Sequence, residues 1–316
     1  MKPAEALQKS IGFKPQIILV TGFLGSGKTT LLNRLIQQYR SKKLAIIVND
    51  FGQIAVDGIL IKDAIDDSVQ SDTDVYEIAN GSIFCSCLSA ELVKALKQVV
   101  IIQPDILLIE TSGLSDPSTF NTILEENNLA AQFEVISSIC IVDPTRTMQL
   151  ARQIVSIERQ ISSSRLIVVN KVDLITKDEY ATTVRFIQEL NDSAEIIKSI
   201  NADFDLSLIG QKSQSQRAAT PPESCNTVHS RPGSILLEQR EISRDDLIAF
   251  YHAVQDKLFR IKGFLEIEGS PYYISDNNEM LQIEDIQQKS YRLGLSVLAP
   301  TLNTQLIENT WLNIEY

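Results

Sequence analysis

The chain has 316 residues, and 29 Lys and Arg stand against 40 Asp and Glu, for a formal net charge of -11. A chain of this length can bury a sizeable core and form two domains. The negative charge disfavours nucleic acid or an anionic membrane surface as the main partner. The start of the chain lacks the apolar core of a secretory signal, and no apolar run reaches the roughly 20 residues of a membrane helix. The composition predicts a cytoplasmic protein with reduced thiols.

The first two thirds of the chain alternate between short apolar segments and amphipathic ones. The strand-like segments are QIILVT, LAIIV, DILLIE, SSICIVD, RLIVVN and AEIIKS. The helix-like segments are KTTLLNRLIQQY, TMQLARQIVSIERQI and EYATTVRFIQEL. Near-continuous apolar strands between amphipathic helices are typical of a mostly parallel sheet covered by helices on both faces. We therefore predict an α/β fold for this part.

The remainder of the chain has a different character. A polar, proline-containing stretch without periodicity predicts a linker or a mobile loop. Beyond it, SILLEQ, FRIKGFLEIEG, YYIS, EMLQIE and YRLGLSVL are strand candidates, with one helix after the N-cap Ser243 and another near residues 303–312. These elements predict a smaller α+β domain. The predicted division is an N-terminal extension over 1–15, the α/β domain over 16–210, a linker over 211–234 and the C-terminal domain over 235–316.

The segment GFLGSGKT follows the first predicted strand and opens the first predicted helix. It fits the G-x-x-x-x-G-K-[ST] pattern of a phosphate-binding loop. Glycines let the backbone amides turn inward, and these amides and the helix N-terminus form an anion cradle. Lys28 would neutralise the terminal phosphates and Thr29 would offer a hydroxyl to Mg²⁺. The predicted nucleotide-binding residues here are Gly22, Gly25, Ser26, Gly27, Lys28, Thr29 and Thr30.

A second motif, N-K-V-D, ends the predicted strand RLIVVN. Asp173 can accept two hydrogen bonds from guanine, whereas adenine lacks both donors, so such a site would reject adenine. The stem of Lys171 can cover the base, and Asn170 can tie the base loop to the phosphate loop. Together with the phosphate-binding loop, this motif favours GTP over ATP and disfavours a small-molecule kinase.

A third motif lies in DILLIETSGLSDP, where a predicted strand ends at Glu110. An acid at this position typically reaches Mg²⁺, directly or through water. Gly113 follows after two residues and provides a flexible point whose amide can sense the γ-phosphate. We predict Lys28, Thr29, Glu110 and Gly113 as the catalytic group of a P-loop GTPase domain.

These motifs resemble those of the CobW-like GTPases, relatives of the nickel-enzyme maturation GTPases UreG and HypB. The order is GFLGSGKTT, NDFG, a Cys-bearing segment after NG, ETSGLSDP and NKVD. The resemblance covers most of residues 16–200 and is weaker over 235–316, where FRIKGF looks like the family's C-terminal pattern. Glu110, in place of the usual Asp, is a specific mark of the family. The resemblance implies a slow GTP-hydrolysing switch that delivers a metal to a client protein, with the C-terminal domain helping to recognise the client.

The Cys-bearing segment departs from the family pattern. The resemblance implies Cys-x-Cys-Cys after Gly81, but the three positions are Ser82, Phe84 and Cys85, and Cys87 lies two residues farther on. Because zinc generally takes four ligands, these two thiols would need help, for which Asp50 of NDFG and a residue of another chain are candidates. The alternatives are that the thiols are buried apolar filler or redox sensors. Cys140, inside a predicted strand, is expected in the core.

We therefore predict a GTPase that binds GTP and Mg²⁺ and delivers a transition metal, Zn²⁺ first among the candidates, to a client metalloprotein. The predicted transition-metal ligands are Cys85, Cys87 and Asp50. A rival hypothesis is a metal-free GTP-dependent switch that binds or assembles proteins. The sequence leaves open the identity of the metal and client, whether the chain forms a homodimer, and which residue orients the attacking water.

Overall fold

The structure is a computed structural model, and it describes residues 13–50, 73–79, 89–151, 154–210, 232–276, 280–286 and 291–314. The predicted linker over 211–234 falls largely outside these residues, as do Cys85 and Cys87, and the side chain of Asp50 is also outside. None of the helices within the described ranges has the length and apolar character needed to cross a bilayer.

Seven strands of the described chain form the first sheet, and all of their pairings are parallel. The strands are β1 (Gln16–Gly22), β2 (Leu44–Asp50), β3 (Thr73–Ala79), β4 (Ile106–Glu110), β5 (Glu134–Val142), β6 (Leu166–Val169) and β7 (Glu195–Lys198). Their spatial order is β3-β2-β4-β1-β5-β6-β7. Parallel strands place all their carboxyl ends at one edge, which is where α/β proteins bind ligands.

Among the described residues, six helices accompany this sheet. They are α1 (Lys28–Gln38), α2 (Ser89–Ile102), α3 (Phe120–Glu126), α4 (Pro144–Ala151), α5 (Val155–Ser162) and α6 (Lys177–Leu190). Leu31, Leu32 and Leu35 of α1 pack on one face of the sheet, and Leu92 and Leu96 of α2 pack on the other. Because both faces are covered, β4 and β6 are buried along their whole length and β1 is buried from Ile17 onward, which confirms the predicted α/β class.

The structure of this part differs from the prediction in three respects. The sequence patterns did not predict strand β3 or helix α2. The segment TMQLARQIVSIERQI was predicted as one helix, but it forms α4 and α5. Ile154, between them, is buried and has extended backbone angles (φ -121, ψ 98). The helix therefore breaks where this side chain enters the core.

The C-terminal part forms a second, antiparallel sheet, as the predicted α+β domain requires. Its strands are β8 (Pro232–Glu238), β9 (Arg260–Ile267), β10 (Ser270–Asp276), β11 (Leu281–Asp285) and β12 (Gly294–Pro300), in the order β11-β10-β9-β12-β8. Helices α7 (Arg244–Val254) and α8 (Thr304–Leu312) cover one face through residues that include Phe250 and Trp311. The hydroxyl of Ser243 caps α7 by accepting from the amide of Asp246, as predicted.

Candidate functional site

The loop between β1 and α1 has the backbone of a phosphate cradle. Gly27 adopts a left-handed conformation (φ 112), and a Cβ there would lie 2.5 Å from the side-chain nitrogen of Asn170. Only glycine fits this position, because both the backbone angle and the neighbour exclude a side chain. The ammonium group of Lys28 donates to the carbonyl of Phe23 at 3.1 Å, which folds the buried lysine back over the loop.

Two predicted magnesium ligands meet beside this loop. The hydroxyl of Thr29, on the first turn of α1, donates to Glu110 Oε1 at 3.3 Å, and Glu110 at the end of β4 is only 2% exposed. Oxygen atoms of a hydroxyl and a carboxylate are the donors that Mg²⁺ prefers. The pair therefore fits a magnesium ion, with Thr29 contributed by helix α1 and Glu110 by strand β4.

The turn after β4 packs directly on the phosphate loop. A Cβ on Gly113 would lie 2.6 Å from the backbone nitrogen of Leu24, so the two backbones are in contact and only glycine fits. The segment from Thr111 to Ser115 is thus placed against the loop that would hold the terminal phosphate. Gly113 therefore lies next to the phosphate loop, and its role as a sensor of the γ-phosphate stays a prediction.

The same turn is bonded to the end of β2. Asn49 is 2% exposed, and its Oδ1 accepts from the backbone amide of Ser112 at 3.3 Å and from the hydroxyl of Ser115 at 3.4 Å. The two serine hydroxyls are themselves 2.7 Å apart. Asn49 immediately precedes Asp50, so this buried network connects the NDFG segment to the SGLSDP segment. The sequence alone does not predict this role of Asn49.

Helix α5 holds the turn from the opposite side. The amide nitrogen of Gln160 donates to the carbonyls of Gly113 at 3.1 Å and Ser115 at 2.9 Å. Arg159 lies 3.9 Å from Asp116, which in turn caps the short helix that begins at Pro117. Sequence reasoning missed both residues. The sequence signal for Gln160 was a polar residue on the apolar face of an amphipathic segment, beside Ile157 and Ile161. Arg159 lies on the other face of the helix and gave no such signal.

The loop that contains the N-K-V-D motif is joined to the phosphate loop by Asn170, as predicted. Its side-chain nitrogen donates to the carbonyl of Ser26 at 2.8 Å, and its oxygen accepts from the amide of Ala202 at 2.8 Å. Lys171 has left-handed backbone angles (φ 58), and its ammonium group forms a 2.8 Å ion pair with Asp143 at the end of β5. Asp173 is exposed at the tip of this loop. Asp143 is a further residue that the sequence analysis did not single out.

The transition-metal prediction lies outside the described residues. In the ranges that the structure describes, no three His, Cys, Asp or Glu side chains lie close enough to hold a metal ion. Cys140 is 2% exposed in β5, as expected for a core residue. Burial raises the pKa of its thiol to about 12, so this thiol is unsuited to metal binding at neutral pH.

The C-terminal sheet contacts the nucleotide-binding part next to the phosphate loop. The guanidinium of Arg146, on α4, lies 5.7 Å from the ring centroid of Phe23 in that loop. Asp276 and Tyr251, both in the C-terminal domain, interact electrostatically with the same guanidinium. Leu298 of β12 belongs to the apolar cluster that contains Phe23 and Leu24. The two parts of the protein thus meet at the phosphate loop.

Comparison with known proteins identifies the family to which the chain belongs. Residues 16–198 match the family model described as CobW/HypB/UreG, nucleotide-binding domain. The chain is 29% identical over 276 residues to the zinc chaperone YjiA of Escherichia coli (strain K12), covering 81% of this chain and 83% of that protein. It is 28% identical over 223 residues to zinc-regulated GTPase metalloprotein activator 1 of Dictyostelium discoideum, covering 60% of this chain and 46% of that protein.

A solved structure of Zn(II)-bound YjiA GTPase from E. coli aligns with 96% of this chain and 99% of its own, at 19% identity and a TM-score of 0.47. The family assignment does not depend on this alignment, because the family model spans more than half of the chain. The chain is a member of the CobW/HypB/UreG family of P-loop GTPases.

Proposed function

We propose that this protein carries a transition metal ion, zinc before other metals, to a client protein, and that Mg²⁺-dependent GTP hydrolysis times the transfer. The GTPase assignment follows from the family. The metal cargo is supported by relatives that are named as zinc chaperones and as a zinc-regulated metalloprotein activator. The client would be recognised with the help of the C-terminal domain.

In this proposal, GTP lies along the carboxyl edge of the first sheet. The phosphate-loop amides and Lys28 bind the phosphates, while Asn170, Lys171 and Asp173 bind guanine. Thr29 and Glu110 would hold a magnesium ion, which when bound would neutralise charge on the phosphate oxygens. Lys28 is already buried, with its ammonium group on the carbonyl of Phe23, so its charge acts in a site from which water is largely excluded.

The single observation that carries the proposed coupling is the buried network around Asn49. Asn49 bonds the turn that contains Gly113, and the next residue is Asp50, a proposed metal ligand. A change in the turn when the γ-phosphate is lost would therefore act on the residue next to that ligand. Two segments that share a buried hydrogen-bond network cannot rearrange independently without leaving polar groups unpaired.

The decisive experiment is a Zn²⁺ titration of the magnesium-loaded protein with a GTP analogue and with GDP, against a chelator of known affinity. We expect the Zn²⁺ affinities of the two nucleotide states to differ by about ten-fold, a common size for coupled sites. The double substitution Cys85→Ser with Cys87→Ser should abolish tight binding in both states, because it removes the two thiolate ligands.

The matched control is Cys140→Ser, since this thiol is buried in the sheet and should leave the zinc affinity unchanged. Equal zinc affinity in the two nucleotide states would contradict the coupling. Unchanged affinity in the double Cys variant would contradict the ligand assignment. A protein that hydrolyses GTP but binds no zinc would instead support a metal-free switch that binds proteins.

A further inference from the structure

We propose that Gln160 is a positioning residue for GTP hydrolysis, and that it acts by fixing the turn from Gly113 to Ser115 against the phosphate loop. This inference rests on the proposed function, in which that turn responds to the γ-phosphate. Gln160 would not touch the nucleotide. It would determine where the backbone of Gly113 stands when the γ-phosphate is present.

The first support is the geometry of the amide. Gln160 is only 1% exposed, and its Nε2 donates to the carbonyls of both Gly113 and Ser115, at 3.1 and 2.9 Å. A glutamine amide nitrogen has two protons, so both donors are committed to this turn. The two carbonyls flank Leu114, and a single rigid amide group therefore fixes the separation and direction of both.

The second support is the contact between the turn and the phosphate loop. Gly113 is in backbone contact with Leu24 of the phosphate loop. The turn is thus held between the phosphate loop on one side and Gln160 on the other. Loss of the amide would free the turn to withdraw, and displacements of about 1 Å can lower catalytic rates on the order of 100-fold.

The third support is the rigidity of the helix that carries Gln160. Ile157 and Ile161 of α5 are buried in the apolar cluster that also contains Leu24 and Leu298. This packing anchors the core face of α5, which makes the helix a fixed reference for the turn.

The experiment compares Gln160→Met with Asn191→Leu in the full chain. Both substitutions remove a buried side-chain amide that donates to backbone carbonyls. The acceptors of Gln160 are in the turn, whereas Asn191 donates to Ile161 and Ser164, outside the turn. We expect Gln160→Met to lower kcat for GTP hydrolysis by about ten-fold or more, with KM for GTP and Kd for GDP changed by less than about three-fold. Asn191→Leu should lower the melting temperature and leave kcat within about two-fold of the wild type.

Gln160→Glu is the second variant, because it keeps the side-chain length and loses the donors, and it should repeat the kcat loss of Gln160→Met. The inference is overturned if either folded Gln160 variant keeps wild-type kcat, or if Asn191→Leu loses kcat to the same extent. In those cases the proposed function stands, since the wild type still hydrolyses GTP. Absence of GTP hydrolysis in the wild type would instead overturn the proposed function itself.

Discussion

At the scale of single residues, close contacts determine that only glycine fits at two positions of the site. Gly27 leaves room for the side chain of Asn170, and Gly113 leaves room for the backbone of Leu24. The second contact is the more demanding, because a backbone nitrogen cannot move aside as a flexible side chain can. One β-carbon at position 113 would therefore displace the turn, the phosphate loop or both.

We predict that Gly113→Ala lowers kcat for GTP hydrolysis by on the order of 10- to 100-fold, because the new methyl group would lie 2.6 Å from Leu24 nitrogen. Single-turnover measurements with saturating GTP would show the loss. The matched control is Gly269→Ala, which has no neighbour within 4 Å but is strained by its left-handed conformation (φ 80). It should cost about 1 kcal/mol of stability and leave kcat unchanged. Wild-type hydrolysis by folded Gly113→Ala would contradict the prediction.

At the scale of elements, the tips of β5 and β6 are joined by an ion pair. Asp143 follows β5, and its Oδ1 accepts from both the amide and the hydroxyl of Thr145, at 3.0 and 2.6 Å. Its Oδ2 pairs with Lys171 after β6. Asp143 is therefore fixed by α4, and it in turn fixes the lysine that is proposed to cover the guanine base.

A double-mutant cycle tests this link. We predict that Asp143→Ala weakens GTP binding several-fold and lowers the free energy of unfolding by about 1–3 kcal/mol, because Lys171 loses its partner and the Thr145 donors lose their acceptor. Lys171→Met should also weaken GTP binding. The double variant should bind GTP no more weakly than the poorer single variant, since the two residues act as a unit. Additive losses, measured by isothermal titration, would show that Asp143 and Lys171 act separately.

The elements also show what the sequence can and cannot predict. The central strands are continuous apolar runs and were predicted, whereas β3 (TDVYEIA) is an edge strand with an exposed Asp74 and weak periodicity. The apolar residues at the end of α2 are followed within a few residues by Pro104 and the apolar strand β4. The helix was not predicted because its end could not be separated in the sequence from this second apolar run. Motif spacing predicted the phosphate loop, Glu110 and the N-K-V-D loop. Asn49 and Gln160 could not be predicted, because their partners are 63 and 47 residues away along the chain.

At the scale of the whole molecule, Arg146 links the C-terminal domain to the phosphate loop. Its guanidinium lies over Phe23 and interacts with Asp276, while Asp276 Oδ1 accepts from the amide of Ile261 at 3.0 Å. Burial lowers the pKa of Arg146, and it raises the pKa of Asp276 despite the nearby arginines. The desolvation of the carboxylate therefore outweighs its attraction to the positive charges.

The raised pKa of Asp276 makes the stability of the protein depend on pH in a defined direction. Because the pKa of Asp276 is higher in the folded protein than its ordinary value of 3.8, the carboxylate is disfavoured by folding. Its contribution to stability is fully present below that ordinary value and is lost as the pH rises through the raised pKa. An uncharged asparagine in its place would have no such loss, and the amide oxygen could still accept from the backbone nitrogen of Ile261.

We therefore predict that Asp276→Asn changes the pH profile of stability in a specific way. The melting temperature of wild type minus that of Asp276→Asn should increase as the pH falls from about 7 toward about 4, because only the wild type gains a proton at this site on folding. Calorimetry of both proteins at matched ionic strength measures this difference, and other carboxylates cancel between the two. Asp285→Asn, at the exposed end of β11, is the matched control for the loss of one carboxylate. A difference that decreases toward the acidic end of this range would mean that the arginines hold Asp276 ionised, and the link between the two domains would then be a stabilising ion pair.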